Sequence, residues 1–242
     1  MCMPPLLEAA LNGSRSVEEH PWIPRTPVQL AITSRAAVDA GAQVLHLHPY
    51  DPDGRETFEA SVCAAAIRAV RYDCPGVPIS LTTSAGIEPD PARRFRAISH
   101  WHQLPDLVTA NQGEEGIVEL CDYLIGRGVG IEAGLLAVAD AEAFVRSGIA
   151  ARCVRVLIEP LDPDVDAALA EAAAMEAIVA KAGISLEQVH HGDGVASWAV
   201  SARGLARGHG MRTGLEDTIY LPDGVPAADN EQLVRTAAIM LA

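Results

Sequence analysis

The 242 residues are 49% apolar but only 4% aromatic, so the core must be assembled mainly from Ala, Val, Leu and Ile. A net charge of −14 argues against nucleic acid, though not against small anionic substrates met by a locally positive site, and no stretch nears the roughly 20 apolar residues of a membrane-spanning helix. Lys181 is the sole lysine among 18 basic residues, and its place near the end of a helical pattern removes Schiff-base, P-loop and pyridoxal chemistries that would need it.

Apolar runs and helical patterns alternate from end to end. Strands are predicted at 5–12, 43–49, 77–83, 106–111, 130–136, 153–159, 188–193 and 210–216. Helices are predicted at 26–40, 58–72, 90–99, 115–127, 139–148, 164–182, 195–207 and 229–241. Thr26–Pro27, Asp90–Pro91 and Asp162–Pro163 supply helix starts, and glycines in VDAGAQ, IGRGVG and AKAGIS supply ends. Eight such pairs over residues 1–242 read as one (β/α)8 barrel, a TIM barrel in a single domain. An open doubly wound sheet is the rival, but no GxGxxG or Walker loop follows the first strand. The start MCMPPLLEAALNG has neither the basic region nor the apolar run of a secretion signal. Five scattered cysteines (Cys2, Cys63, Cys74, Cys121, Cys153), none in a CxxC pair, fit reduced thiols and a cytoplasmic setting, with Cys153 packed inside strand six.

In a barrel of this kind, chemistry gathers at the C-terminal strand ends. The polar residues expected there are Asn12, His46, His48, Thr82, Thr83, Ser84, Thr109, Asn111, Glu132, Glu159, His190, His191, Asp193, Arg212, Glu216 and Asp217. Strand alternation points His46 and His48 the same way, as a shared metal ion requires, and imidazole suits zinc. The third ligand would be Glu216, or else His190 or Asp193 on strand seven. Without a metal, these are satisfied polar side chains, Arg212–Asp217 a rim ion pair, and His190, His191 and His209 ordinary hydrogen-bonded histidines. Glu8, in mid-strand on the face of Asn12, would be a carboxylate low in the barrel that needs a partner. His20, His100 and His102 sit in loop contexts and carry no functional expectation.

The segments HLHPYDPDGRETF, SLTTSAG, DLVTANQG and GHGMRTGLEDTIYLPDGVPAADNEQLV together resemble the β-keto acid cleavage enzymes, a family of zinc-dependent barrels, in the same order over nearly the whole chain. The resemblance implies zinc, or another divalent metal, on His46, His48 and Glu216, with Arg212 and Asp217 in catalysis and Thr82 as a hydroxyl at the end of strand three. Thr109, Asn111 and Glu132 fall on the family's strand-four and strand-five positions and, with Thr83 and Ser84 at the end of strand three, are the expected substrate contacts. The reaction the resemblance implies is a Claisen-type exchange, in which a β-keto acid and acetyl-CoA give acetoacetate and an acyl-CoA. A homo-oligomer, a tetramer in the family, would be the working form.

Two positions depart from the family pattern. Tyr50 stands where the family shows an arginine after the histidine pair (HxHxR), and Arg15 stands where the lysine-degrading members carry an acidic residue facing an ammonium group. Arg15 as a substrate contact would favour a neutral or dicarboxylic β-keto acid. The rival readings are a class II aldolase, which would cleave without acetyl-CoA, an amidohydrolase-like barrel, whose HxH sits on the first strand beside a bridging lysine, and an inactive barrel that binds a metabolite.

Overall fold

The computed structural model describes residues 5–241. Its elements run β1 (Leu7–Ala10), α1 (Pro27–Asp39), β2 (Val44–Leu47), α2 (Ala60–Asp73), β3 (Ile79–Thr82), α3 (Pro91–Ser99), β4 (Leu107–Asn111) and α4 (Ile117–Gly126). They continue with β5 (Gly130–Leu135), α5 (Val138–Ser147), β6 (Arg155–Ile158), α6 (Val165–Lys181), β7 (Glu187–His190), α7 (Ser197–Ala206), β8 (Gly210–Thr213) and α8 (Asn230–Met240). The strands are all parallel and close in sequence order, β8 pairing back on β1 through Glu8 and Arg212, so the chain is a (β/α)8 barrel. The predicted order holds throughout.

Local chemistry sets the helix ends. Thr26 accepts from the Gln29 amide while Gln29 reaches back, a full capping box ahead of Pro27. Asp90 caps α3 more simply, its side chain accepting from the Arg93 amide ahead of Pro91. The start of α6 lies slightly later than its proline suggests: Asp164 accepts from the Ala167 amide, whereas Asp162 accepts from the amide of Asp164 itself in a preceding turn. Lys181 is the last residue of α6 and exposed, as its helix-end role requires. Two 3-10 turns, Ile149–Arg152 and Gly194–Ala196, were not foreseen; short turns of this kind carry no periodicity to read.

The main core lies between barrel and helices. Leu45, Leu47, Val108, Ala110, Ile131, Ala133, Val156 and Ile158 face outward and are buried there. The described cysteines, Cys63, Cys74, Cys121 and Cys153, are buried and unpaired, and Cys2 lies outside the described residues. Cys153 falls two residues before β6 rather than inside it, where its thiol meets the Ile149 carbonyl.

Strands of four to six residues are shorter than the apolar runs that announce them. Pairing stops where the loops diverge, and this moves several site residues. His48, Glu159, His191 and Asp193 fall just beyond their strands, and Glu216 and Asp217 lie in the turns after β8. No helix among the described residues is long and apolar enough to cross a membrane.

Candidate active site and metal centre

At the C-terminal mouth of the barrel lies a cavity of about 320 Å3. Its wall includes His46, His48, Thr82, Ser84, Thr109, Asn111, Glu159, Asp193, Arg212 and Glu216, with Leu136 and Leu161 as apolar patches. His46 and His48 turn their Nε2 atoms toward each other, 3.1 Å apart. Glu216 Oε1 closes the triangle at 3.5 Å from His46 Nε2 and 3.6 Å from His48 Nε2.

The far side of each ring is occupied. His48 Nδ1 meets the Glu56 carboxylate, and His46 Nδ1 lies 3.3 Å from Ser80 Oγ and 3.2 Å from Thr109 Oγ1. With a proton on each Nδ1 to serve these acceptors, both Nε2 lone pairs are left facing the centre. Asn12 fixes this strand end: its side chain accepts from the His48 amide at 2.9 Å and donates to the His48 carbonyl at 2.8 Å. Glu216 Oε2 is buried with no hydrogen-bond partner. Two imidazoles and a carboxylate converging with an unsatisfied oxygen fit a divalent cation, and zinc in particular.

Electrostatics make His46 and Glu216 ready donors and leave on His48 a proton that a cation would displace. Burial keeps His46 well below its usual pKa, hence neutral. Burial also opposes charge on His48, but the Glu216 and Glu56 carboxylates outweigh it and push His48 up to about 9. For Glu216, burial acts to raise the carboxyl, yet His46, Arg212 and His48 hold it well below the usual range.

Beside the triad lies a second cluster. Arg212 Nη2 donates to Asp217 Oδ1 at 2.7 Å, to Glu216 Oε1 at 3.1 Å and to Glu159 Oε1 at 3.4 Å. Arg212 Nε donates to His191 Nδ1 at 3.3 Å, and His191 Nε2 stands 3.5 Å from Glu159 Oε2. Asp217 is almost fully buried behind Arg212, off the cavity wall itself, and its Oδ2 has no partner. Glu159 and His191, to which sequence reading assigns no role, thus pack around Arg212.

Not every expected residue reaches the cavity. Glu132 is a correction: it is the third residue of β5, not a rim residue, and lies fully buried with its carboxylate bonded to Ser80 Oγ and 3.4 Å from Arg155 Nη1. Glu8 joins it in the interior, 4.0 Å from Arg155 Nη1, and burial followed by the neighbouring Glu132 raises its carboxyl well above the usual range. Burial thus disfavours the charged form of Glu8, whose two carboxyl oxygens have no hydrogen-bond partner. Thr83 is likewise no cavity residue: it is buried, and its hydroxyl donates to the Thr109 carbonyl at 2.8 Å. Arg15 is the third correction. Its guanidinium is taken up by Glu216, Asp217, Asp193 and Glu19 and is not part of the cavity wall, so it is not free for a substrate carboxylate.

Strand alternation also decides between the histidines of strand seven. His191 points inward to Arg212. His190 points outward, stacked on His209 at 4.8 Å, and cannot share a metal with His46. Glu176, His190 and His209 form another acid–histidine cluster, but Arg203 at 2.7 Å and Arg207 at 2.6 Å occupy the Glu176 carboxylate, which makes it an ionic clasp between helices. Sequence reading missed Glu56 and Ser80. Glu56 had a visible signal in the DPDGRE turn eight residues past His48; Ser80 had only its inward register with His46.

The β-keto acid cleavage enzyme family model matches residues 4–145 and 162–242, leaving unmatched a stretch that holds β6 and Glu159. The 3-keto-5-aminohexanoate cleavage enzyme of Fusobacterium nucleatum subsp. nucleatum is 26% identical over 250 residues, covering 95% of this chain and 88% of the relative. A 3,5-dioxohexanoate:acetyl-CoA acetone transferase of Paraburkholderia graminis is 32% identical over 94 residues, 38% of this chain and 29% of that protein. Among solved structures, the ternary complex of ObcA with C4-CoA adduct and oxalate superposes with a TM-score of 0.75 at 15% identity, a likeness of fold. It covers 91% of this chain but only 64% of that one, so the chain spans less than two thirds of that protein's resolved length. With the family pattern matched over nearly its full length, the chain belongs to the β-keto acid cleavage enzyme family.

Proposed function

We propose that the protein catalyses a Claisen-type exchange between a β-keto acid and acetyl-CoA, giving acetoacetate and the CoA ester of the remaining acyl group. The observation that carries this reading is the convergence of His46, His48 and Glu216 beside the buried Arg212–Asp217 pair, within a chain of this family. A divalent cation held by His46, His48 and Glu216, for which zinc is the best match, supplies Lewis acidity that makes the protons between two carbonyl groups easier to remove.

The chain's own groups account for the rest. Asp217 is the base that takes the α-proton, and Arg212 fixes its carboxylate at 2.7 Å. The resulting carbanion attacks the thioester carbonyl of acetyl-CoA. The Thr82 hydroxyl and the Arg212 guanidinium face the cavity and donate to the oxyanion that develops there. CoA thiolate then adds to the original ketone, and cleavage of the carbon–carbon bond releases acetoacetate and acyl-CoA. Ser84, Thr109 and Asn111 line the wall that orients the keto acid.

The cavity argues for a small, uncharged acyl substituent. Glu159 and Asp193 place carboxylates on its wall, Arg15 is engaged elsewhere, and Leu136 and Leu161 offer apolar surface. A dicarboxylic keto acid would meet these carboxylates while the guanidinium on the wall, Arg212, is already shared among Asp217, Glu216 and Glu159. The test is to incubate zinc-loaded protein with neutral and dicarboxylic β-keto acids, with and without acetyl-CoA. Acetoacetate that needs acetyl-CoA and vanishes in His46→Ala supports the reading. Cleavage without acetyl-CoA would replace it with an aldolase, and preference for dicarboxylic substrates would overturn the specificity.

A further inference from the structure

The loop after β1 is built in a way the proposed chemistry does not use. Gly13, at φ +54°, lies so close to Glu216 that a Cβ there would stand 2.4 Å from Glu216 Cγ. The Gly13 carbonyl accepts from the Tyr50 hydroxyl at 2.6 Å. Two residues on, the Arg15 carbonyl accepts from Arg25 Nη2 at 2.7 Å, while the Arg25 guanidinium lies 4.2 Å from the centre of the Tyr50 ring. The loop is thus pinned by Tyr50, which follows β2, and by Arg25 at its own far end before α1.

Its side chain then reaches to the β8 side. Arg15 Nε donates to the Glu216 carbonyl at 2.9 Å, and Nη2 donates to the Asp217 carbonyl at 3.3 Å and to Asp193 Oδ1 at 2.8 Å. One planar fork spans two successive peptide units, which only a fixed peptide orientation allows. The Asp193 and Glu19 pairings are half-exposed and contribute little by themselves. The carbonyl bonds have another effect. Glu216 and Asp217 lie in a turn, not a strand, and whatever fixes their backbone aims both carboxylates.

We propose that Arg15, held by Tyr50 and Arg25, is a positioning residue that locks the Glu216–Asp217 turn and so sets the third metal ligand and the base. This deepens the reading of the site given above and rests on it. It also gives one purpose to Arg15 and Tyr50, the two positions that depart from the family pattern.

The test uses three variants of the full-length protein: Arg15→Met, Arg15→Lys and Tyr50→Phe. Zinc affinity of the metal-stripped protein is read by competition with a chromophoric chelator, and kcat and KM by acetoacetate formation. Arg15→Met should weaken zinc and lower kcat by about 10- to 100-fold each, the usual scale for a group that orients a ligand. KM for the β-keto acid should move by less than about threefold. Added guanidinium ion should restore part of the zinc affinity of Arg15→Met, and Arg15→Lys, with a point charge instead of a fork, should not match wild type. A raised KM with unchanged kcat and zinc affinity would make Arg15 a substrate contact and overturn the proposal, as would no change in any of the three. If Arg15→Met does not fold, Tyr50→Phe decides: weaker zinc binding upholds the brace, and unchanged binding overturns it. Because zinc affinity is read without substrate, a wild type that makes no acetoacetate would sink the proposed reaction and leave this measurement standing.

Discussion

Without metal, the ligand triangle holds one proton too many. His48 is pushed up to about 9 by Glu216 and Glu56 against its burial, whereas His46 is kept neutral and Glu216 ionised. A cation seated on these three groups must therefore displace a single proton, from His48. Over the range from about pH 6 to 8, below that value throughout, apparent affinity should rise about tenfold per unit, roughly 100-fold or about 2.7 kcal/mol in all. Zinc competition against a chelator, corrected for the chelator's own titration, measures the slope directly. Glu56→Gln provides the control. It removes a carboxylate that stabilises the charged ring, so His48 should drop and the curve should flatten at the upper end of the range. Affinity independent of pH, or a curve indifferent to Glu56→Gln, would refute the assignment of His48 as a ligand whose proton competes with the metal.

Other outcomes follow from the same geometry. Asp217→Asn should lower kcat by about 100- to 10,000-fold, the range for loss of a general base, with zinc still bound; metal analysis beside a single-turnover assay checks this. Gly13→Ala should cost most of the zinc affinity, since the new Cβ stands 2.4 Å from Glu216 Cγ and φ of +54° is strained for alanine; the same chelator competition reads it. Stability should fall with acidity in two stages. Burial and the neighbouring His209 push His190 down to about 3, so the unfolded chain binds its proton first and stability declines as pH drops below 6.5 toward that value. Glu176, which its arginines and His209 hold at about 2 against burial, adds a loss only below 4.5. Melting curves should therefore show a shallower slope between pH 6.5 and 4.5 in His190→Gln than in wild type, and an identical slope would exclude the histidine.

The barrel was legible because its signals are local. Apolar runs of strand length recur eight times, punctuated by capping pairs such as Thr26–Pro27 and Asp90–Pro91 and by terminating glycines, and each signal depends on only a few neighbours along the chain. The pairing of His46 with His48 needs only strand alternation, and the structure keeps both Nε2 atoms on one centre. Glu132 misled because sequence places a residue on a strand without giving its height: register with Thr109 and Arg155 sets it inside the barrel, below the rim.

By itself, then, the sequence determined the order of the elements, the inward histidine pair and the polar segments that would crowd one mouth of the barrel. Only tertiary structure decided which of them meet. Glu216 reaches His46 because β8 closes on β1, which in turn pairs with β2, a contact between residues 170 positions apart that no local pattern encodes. The same closure turns Arg15 from an apparent substrate contact into a clasp on Glu216 and Asp217. A guanidinium's partners are set by whatever carbonyls the fold brings within about 3 Å, not by its neighbours in the chain.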